Sequence, residues 1–176
     1  KSGQIGAKIS STFSSTGTPS LFLSPAESIH GDMGVIAAND LLLAISNGGE
    51  SAEMIPLLNY ATRKGIPIVA MTGNKQSSLG KAAKVIIDIS IDEEACPLKL
   101  APTTSSTVTL ALGDALAMTV LKKRGFDENK FAEYHPGGKL GRKLLTTVKD
   151  VMHSGAALPL VTTDTPMNQV ISSMTS

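Results

Sequence analysis

Three short apolar runs, "LLLAIS" (Leu41 to Ser46), "IPIVAMT" (Ile66 to Thr72) and "KVIIDI" (Lys84 to Ile89), each end in a polar turn and alternate with stretches of helical periodicity. A fourth run, "SLFL" (Ser20 to Leu23), stands before them. Strand–helix alternation of this kind predicts an α/β fold built on a doubly wound parallel sheet. Helices are expected near Gly6 to Ser15, Ser51 to Lys64, Ser77 to Ala83 and, longest, Thr103 to Arg124. In the second of these, Met54, Leu57, Leu58 and Ala61 repeat at helical spacing, Gly65 supplies a C-cap, and Pro56 falls in the first turns, where its missing N–H is tolerated.

Ligands of open α/β sheets bind outside the carboxyl ends of the strands, so the turns "SNGGES", "TGNKQSS" and "SIDEEACP" should share one rim. In the first, Ser46, Asn47 and Ser51 offer polar side chains, and Gly48 and Gly49 leave backbone N–H groups accessible. The helix that follows adds about half a positive charge, which suits a phosphate even without a lysine. Glu50 would repel that phosphate unless it turns away, and the same residues also fit an ordinary βα connection with Ser51 as N-cap. With the acids of the third turn included, the rim reads as a site for a phosphorylated polar molecule with a carboxylate at hand for chemistry.

Composition removes several alternatives. A net charge of +1 over 176 residues leaves no basic stripe for nucleic acid, and four Phe, two Tyr and no Trp offer no stacking platform. The single Cys96 excludes an internal disulfide framework, three scattered histidines make no structural zinc motif, and a reducing cytoplasm fits that usage. No apolar run approaches the roughly 20 residues of a membrane span, and no signal peptide is visible. The opening "KSGQIGAKISSTFSS" reads as a chain that begins inside a domain, with no strand in front of its first helix. Near Thr147 the pattern changes to a short amphipathic turn, a strand "LPLV" and a helix "MNQVISSM", the start of a second domain.

The stretches "KSGQIGAKISSTFSSTGTPS", "AESIHGDMG", "AISNGGESAE", "EEACPLKLAPTTSSTVTLALGDALAM" and "FAEYHPGGKLGRKLL" together resemble the sugar isomerase (SIS) domain of arabinose 5-phosphate isomerases. The resemblance assigns residues 1–148 to an N-terminally incomplete SIS domain and residues 149–176 to the start of a CBS domain. It implies a three-layer α/β/α sandwich with a five-stranded parallel sheet whose first strand would precede Lys1. It also implies interconversion of D-ribulose 5-phosphate and D-arabinose 5-phosphate, toward Kdo and lipopolysaccharide, by a cytoplasmic homotetramer with shared active sites. A different class, a regulatory SIS module that senses a sugar phosphate without turning it over, would need the hydroxyl turns but no acid/base set. Isomerisation of a hexose phosphate is set aside only by the resemblance.

Aldose–ketose isomerisation passes through an enediol, so a base must take a C–H proton while an electrophile steadies the oxygen; no metal is obligatory. By resemblance the catalytic set falls on Lys1, Glu53, Glu94 and His135. Lys1 would polarise the carbonyl, and Glu53 would sit in the first turn of the helix opening at Ser51. Glu94, crowded by Asp92 and Glu93, is expected to have a raised pKa suited to proton shuttling as base or acid, with Glu93 a bystander. His135 would serve as acid or base, reaching a neighbouring subunit's site. Substrate contacts are expected from Gly17, Thr18, Ser46, Asn47 and Ser51, from the hydroxyl cluster Thr103, Thr104 and Ser105, and from His30, whose equivalent in the family can bind an inhibitory zinc. Two positions depart from the family: Gly48 stands where close members often carry a serine, and Ser24 where many carry a histidine.

Overall fold

The computed structural model describes residues 1–175 and divides into two compact units, Lys1–Phe131 and a second from Ala132 onward. The first holds a parallel sheet of β1 (Leu42–Ile45), β2 (Ile68–Thr72) and β3 (Val85–Asp88) in that spatial order, with Leu42 opposite Ile68 and Val69 opposite Val85. Successive side chains on a strand point to opposite faces, and these strands use both. Leu42, Ala44, Ile68, Ala70 and Ile86 join the buried Met54, Leu58, Ala61 and Leu79 of α3 (Met54–Lys64) and α4 (Ser78–Ala82) on one side. Leu43, Ile45, Met71 and Ile87 face Ile5 and Ile9 of α1 (Ser2–Ser15) and Val108, Leu110 and Leu112 of α5 (Thr104–Lys123) on the other. The result is the expected α/β/α layering.

The α1–α5 layer is tight because Ile9 packs onto Gly113, where an added Cβ would lie 2.2 Å from Ile9 Cδ1, and because Lys8 pairs with Asp114 across the surface. With mean hydropathy 1.3, α5 is the one helix among the described residues long and apolar enough to cross a membrane, which corrects the sequence reading that no run approaches that length. Its apolar side chains Val108, Leu110 and Leu112 are used in the α1-side core.

The five-stranded expectation is corrected to three strands among the described residues. Ser20 to Leu23 form no strand: Leu21 is 70% exposed, and the Phe22 ring lies along Gly3 and Gly6 of α1 instead of entering the ladder. Between this segment and β1 come α2 (Pro25–Ser28) and a 3-10 turn, Asp32–Val35. α1 begins four residues earlier than expected, and α3 begins three later, after turns in which the Met54 and Ile55 N–H groups bond the carbonyls of Ser51 and Ala52.

The boundary between the units falls within α6 (Glu128–Tyr134), whose last three residues open the second unit; α7 (Lys139–Leu145), α8 (Val148–Val151) and α9 (Met167–Thr175) follow. α8 opens on a capping box in which Asp150 Oδ2 accepts from the Thr147 N–H and hydroxyl at 2.8 and 2.7 Å. The expected strand "LPLV" is not one here: no strand among the described residues pairs with it, and Leu160 is 79% exposed.

Candidate functional site

The turn after β1 is built as a rigid cup. Ser46 Oγ, buried, accepts the Gly49 N–H at 3.1 Å and lies 3.3 Å from Ser51 Oγ. The Asn47 carbonyl accepts from the Gly73 N–H (2.9 Å) and the Thr72 hydroxyl (3.2 Å), and the Gly49 carbonyl accepts from the Leu79 N–H at 3.2 Å. Gly49 takes φ +71°, and a Cβ there would fall 2.0 Å from Ser77 Oγ. Gly73 marks where the three strand ends meet, since its Cβ would lie 2.9 Å from Asn47 Oδ1 and 3.3 Å from Ser90 Cα.

Glu50, the acid that counted against a phosphate in this turn, is engaged elsewhere. Its carboxylate accepts from the Ser78 N–H at 2.8 Å and the Ser78 hydroxyl at 2.7 Å, capping α4. Those bonds, the hydroxyl's first, hold the carboxyl below its ordinary value, so Glu50 clasps two rim turns together as an anion. The Asn47 side chain and the backbone N–H groups of Gly48, Ser51 and Ala52 make no hydrogen bond among the described residues, which leaves them free for an oxyanion.

At Gly48 a Cβ would meet nothing within 4 Å. Gly48→Ser, which restores the hydroxyl common in the family, is therefore expected to fold normally. Titration with a sugar phosphate should show binding tightened roughly 2- to 10-fold, the worth of one hydrogen bond of about 0.5–1.5 kcal/mol. Unchanged affinity would mean that no phosphate oxygen comes within reach of position 48.

The second element of the site is the start of α5. Glu94 Oε2 accepts the Thr103 N–H at 2.8 Å, the Thr103 hydroxyl at 3.2 Å and the Ser105 N–H at 3.2 Å, while Oε1 accepts from the Ser105 hydroxyl. The first turn of α5 contains no acid of its own, and Thr103 gives its helix no side-chain cap; the Glu94 carboxylate serves as the N-terminal anion instead. The expected raised pKa is thereby corrected. The Ser105 hydroxyl first, then the Thr103 N–H, pull the carboxyl down to about 2, and no ionised neighbour contributes. Like-charge crowding fails because Glu93 pairs with Lys99 at 2.5 Å, Lys99 adopting φ +54° in the loop that follows. Thr104 is tied to the same loop, its hydroxyl oxygen accepting the Ala95 N–H at 3.0 Å. Further along, the Cys96 thiol is held below its usual value by backbone N–H groups, that of Ala101 foremost.

A groove of about 290 Å³ joins this helix start to α1, lined by Lys1, Gln4, Ile5 and Lys8 on one side and Ser106 and Leu110 on the other. Lys1 is exposed at the N-cap of α1, and the groove wall facing it carries Ser106, the residue after Ser105. Glu53 is the N-cap of α3, a correction to its expected place inside the first helical turn. The other candidates fall on other segments of the chain. Gly17 and Thr18 follow the far end of α1, which at 14 residues is about 21 Å long; Gly17 sits under the Phe126 ring, and Thr18 Oγ1 is buried with no hydrogen-bond partner among the described residues. His30 is exposed after α2, and no group of three His, Cys, Asp or Glu suited to a metal ion occurs among the described residues. His135 belongs to the second unit, following α6.

Sequence reading missed the Glu50–Ser78 clasp, which spans 28 residues with no local signature, and the structural duty of Gly73 and Ser77. Ser77 had a signal, since "QSSLGK" is a serine ahead of a helix: its hydroxyl oxygen accepts the Gly80 N–H at 3.1 Å.

Comparison with known proteins adds three findings. The SIS domain family matches residues 1–119. Among curated proteins, arabinose 5-phosphate isomerase KdsD of Pseudomonas aeruginosa is 54% identical over 99% of this chain and 54% of its own length. KdsD of Escherichia coli K12 is 51% identical over 92% of this chain and 49% of its own. The chain thus spans about half the length of the curated relatives it matches. Among solved structures, an Escherichia coli CFT073 protein in complex with arabinose 5-phosphate superposes with a TM-score of 0.74 at 40% identity, covering 77% of this chain and 72% of that one.

Proposed function

The chain belongs to the SIS domain family, and on that premise we propose that it interconverts D-ribulose 5-phosphate and D-arabinose 5-phosphate. The similarity to KdsD proteins supports this substrate pair. The observation that carries the reading is the Glu94 carboxylate, ionised and seated at the start of α5 beside the Lys1-lined groove. A sensor needs the hydroxyl turns but has no use for a base there.

The phosphate binds the cup of Ser46, Asn47, Ser51 and the free N–H groups. As a carboxylate, Glu94 can accept but not donate a proton, which selects base over acid. It takes the proton from C1 of the ketose; the C–H electron pair becomes the C=C bond of an enediolate, and the negative charge collects on O2, where the Lys1 ammonium steadies it. A proton then passes from O1 to O2, and return of the abstracted proton to C2 leaves the C1 carbonyl of the aldose, with Glu53 and His135 as the remaining acid/base groups. Atoms and charge balance without any metal, and zinc at His30 would inhibit.

The same reading takes the active form to be a cytoplasmic homotetramer with shared sites, in which Gly17, Thr18 and His135 serve a neighbour. Residues 149–176 open a CBS domain, and the product leads toward Kdo and lipopolysaccharide. Incubation with D-ribulose 5-phosphate, followed by resolution of the pentose phosphates, is expected to yield arabinose 5-phosphate. Saturable binding without any product would assign the chain to the sensor class instead.

A further inference from the structure

We propose that Ser105 is a positioning residue that sets the basicity of Glu94, and that Glu94 Oε1 is the oxygen that exchanges the substrate proton. The inference rests on the isomerase reading and deepens it. A carboxylate has about four lone-pair sites, two on each oxygen. Three donors converge on Oε2, so that oxygen is saturated and serves as the anchor. Oε1 has one donor, the Ser105 hydroxyl, and keeps a lone pair for the substrate.

The Ser105 hydroxyl therefore acts on the same oxygen that must take the proton. Each increment of hydrogen bonding to the charged form makes that oxygen a weaker base. Ser105 is itself fixed, 7% exposed in the first turn of α5, so the contact cannot drift as an exposed side chain would. The charged and titratable groups around Glu94 are few. Its own loop carries Asp92, Glu93 paired with Lys99, and Cys96; the start of α5 brings only hydroxyls; Lys1 and Lys8 line the groove beyond Ser106.

Two measurements on the chain test this. The first is the pH titration of the Glu94 carboxyl carbon by NMR, which needs no turnover. In the unsubstituted protein it should titrate near 2, and in Ser105→Ala its midpoint should move up toward 4.5. The second is the ratio of kcat/KM for Ser105→Ala to that of the parent across pH, in which the titration of the substrate phosphate cancels. The ratio should be level near neutrality and fall as pH drops through the raised midpoint, by about tenfold per pH unit. Ser105→Thr keeps a hydroxyl and should restore both behaviours. Thr103→Val, which removes a hydroxyl from the anchoring oxygen, should move the midpoint less.

An unmoved carboxyl midpoint, or a ratio lowered equally at every pH, overturns the proposal, because a merely structural role for Ser105 costs the same at every pH. Absence of turnover in the unsubstituted chain sinks the isomerase reading instead, and the NMR midpoint alone then decides whether Ser105 governs Glu94.

Discussion

Glu94→Gln is expected to lower kcat for pentose 5-phosphate isomerisation by about 100- to 10,000-fold while leaving substrate affinity within a few-fold of the parent. General-base catalysis contributes on that order, and glutamine is the substitution that removes basicity with least change of shape. Its amide oxygen can stay with the Thr103 and Ser105 N–H groups, and its NH₂ can donate to the Ser105 oxygen, so the start of α5 keeps its partners. The phosphate cup stands on β1 and α4 and does not depend on Glu94. Loss of rate without loss of binding is therefore the signature, and steady-state kinetics beside a binding titration reads it. A near-normal kcat would remove Glu94 from the base role. Stability adds an independent check. The carboxyl is depressed from 4.5 to about 2 in the folded chain, so its stabilising contribution is fully present above 4.5 and is lost as pH falls through about 2. The gap in Tm between parent and variant should accordingly be widest near neutrality and shrink between those two values.

What could be read from the sequence follows from the range of the forces involved. β1, β2, β3, α3, α4 and α5 were legible because each is announced by its own periodicity and turn chemistry, and the shared rim followed from parallel topology alone. The misreadings concern contacts between distant residues. "SLFL" has strand composition, but a strand exists only by pairing, and here Phe22 finds α1 instead. Glu94 sits in an acid run, and local crowding argues for a raised pKa; its sign is reversed by donors 9 and 11 residues away and by Lys99 neutralising Glu93. Glu50 shows the same limit. Its charge was legible, but the Ser78 groups that make it a clasp, 28 residues on, were not.

Gly49→Ala is expected to destabilise the fold by about 1–3 kcal/mol and to weaken sugar phosphate binding more than tenfold, an effect on KM larger than that on kcat. The position adopts φ +71°, where an L side chain alone costs on the order of 1–2 kcal/mol. The added Cβ would also meet Ser77 Oγ at 2.0 Å, Ser77 Cβ at 2.6 Å and Thr72 Oγ1 at 3.1 Å, and each of these atoms belongs to a group already committed. Ser77 Oγ donates to the Asn74 carbonyl at 2.6 Å and accepts from Gly80, so it cannot retreat without uncapping α4. Thr72 Oγ1 donates to the Asn47 carbonyl. Relief can come only by moving the β1 turn itself, which breaks the Gly49 N–H bond to Ser46 Oγ and with it the cup. Gly48→Ala is the matched control one residue away: its Cβ would meet nothing within 4 Å, and it should change Tm and KM little. If both substitutions behaved alike, the cup would not owe its shape to the left-handed turn at Gly49. A large difference confined to Gly49→Ala ties phosphate affinity to the clasp between the β1 and β2 turns, because the two variants differ only in whether that clasp can close.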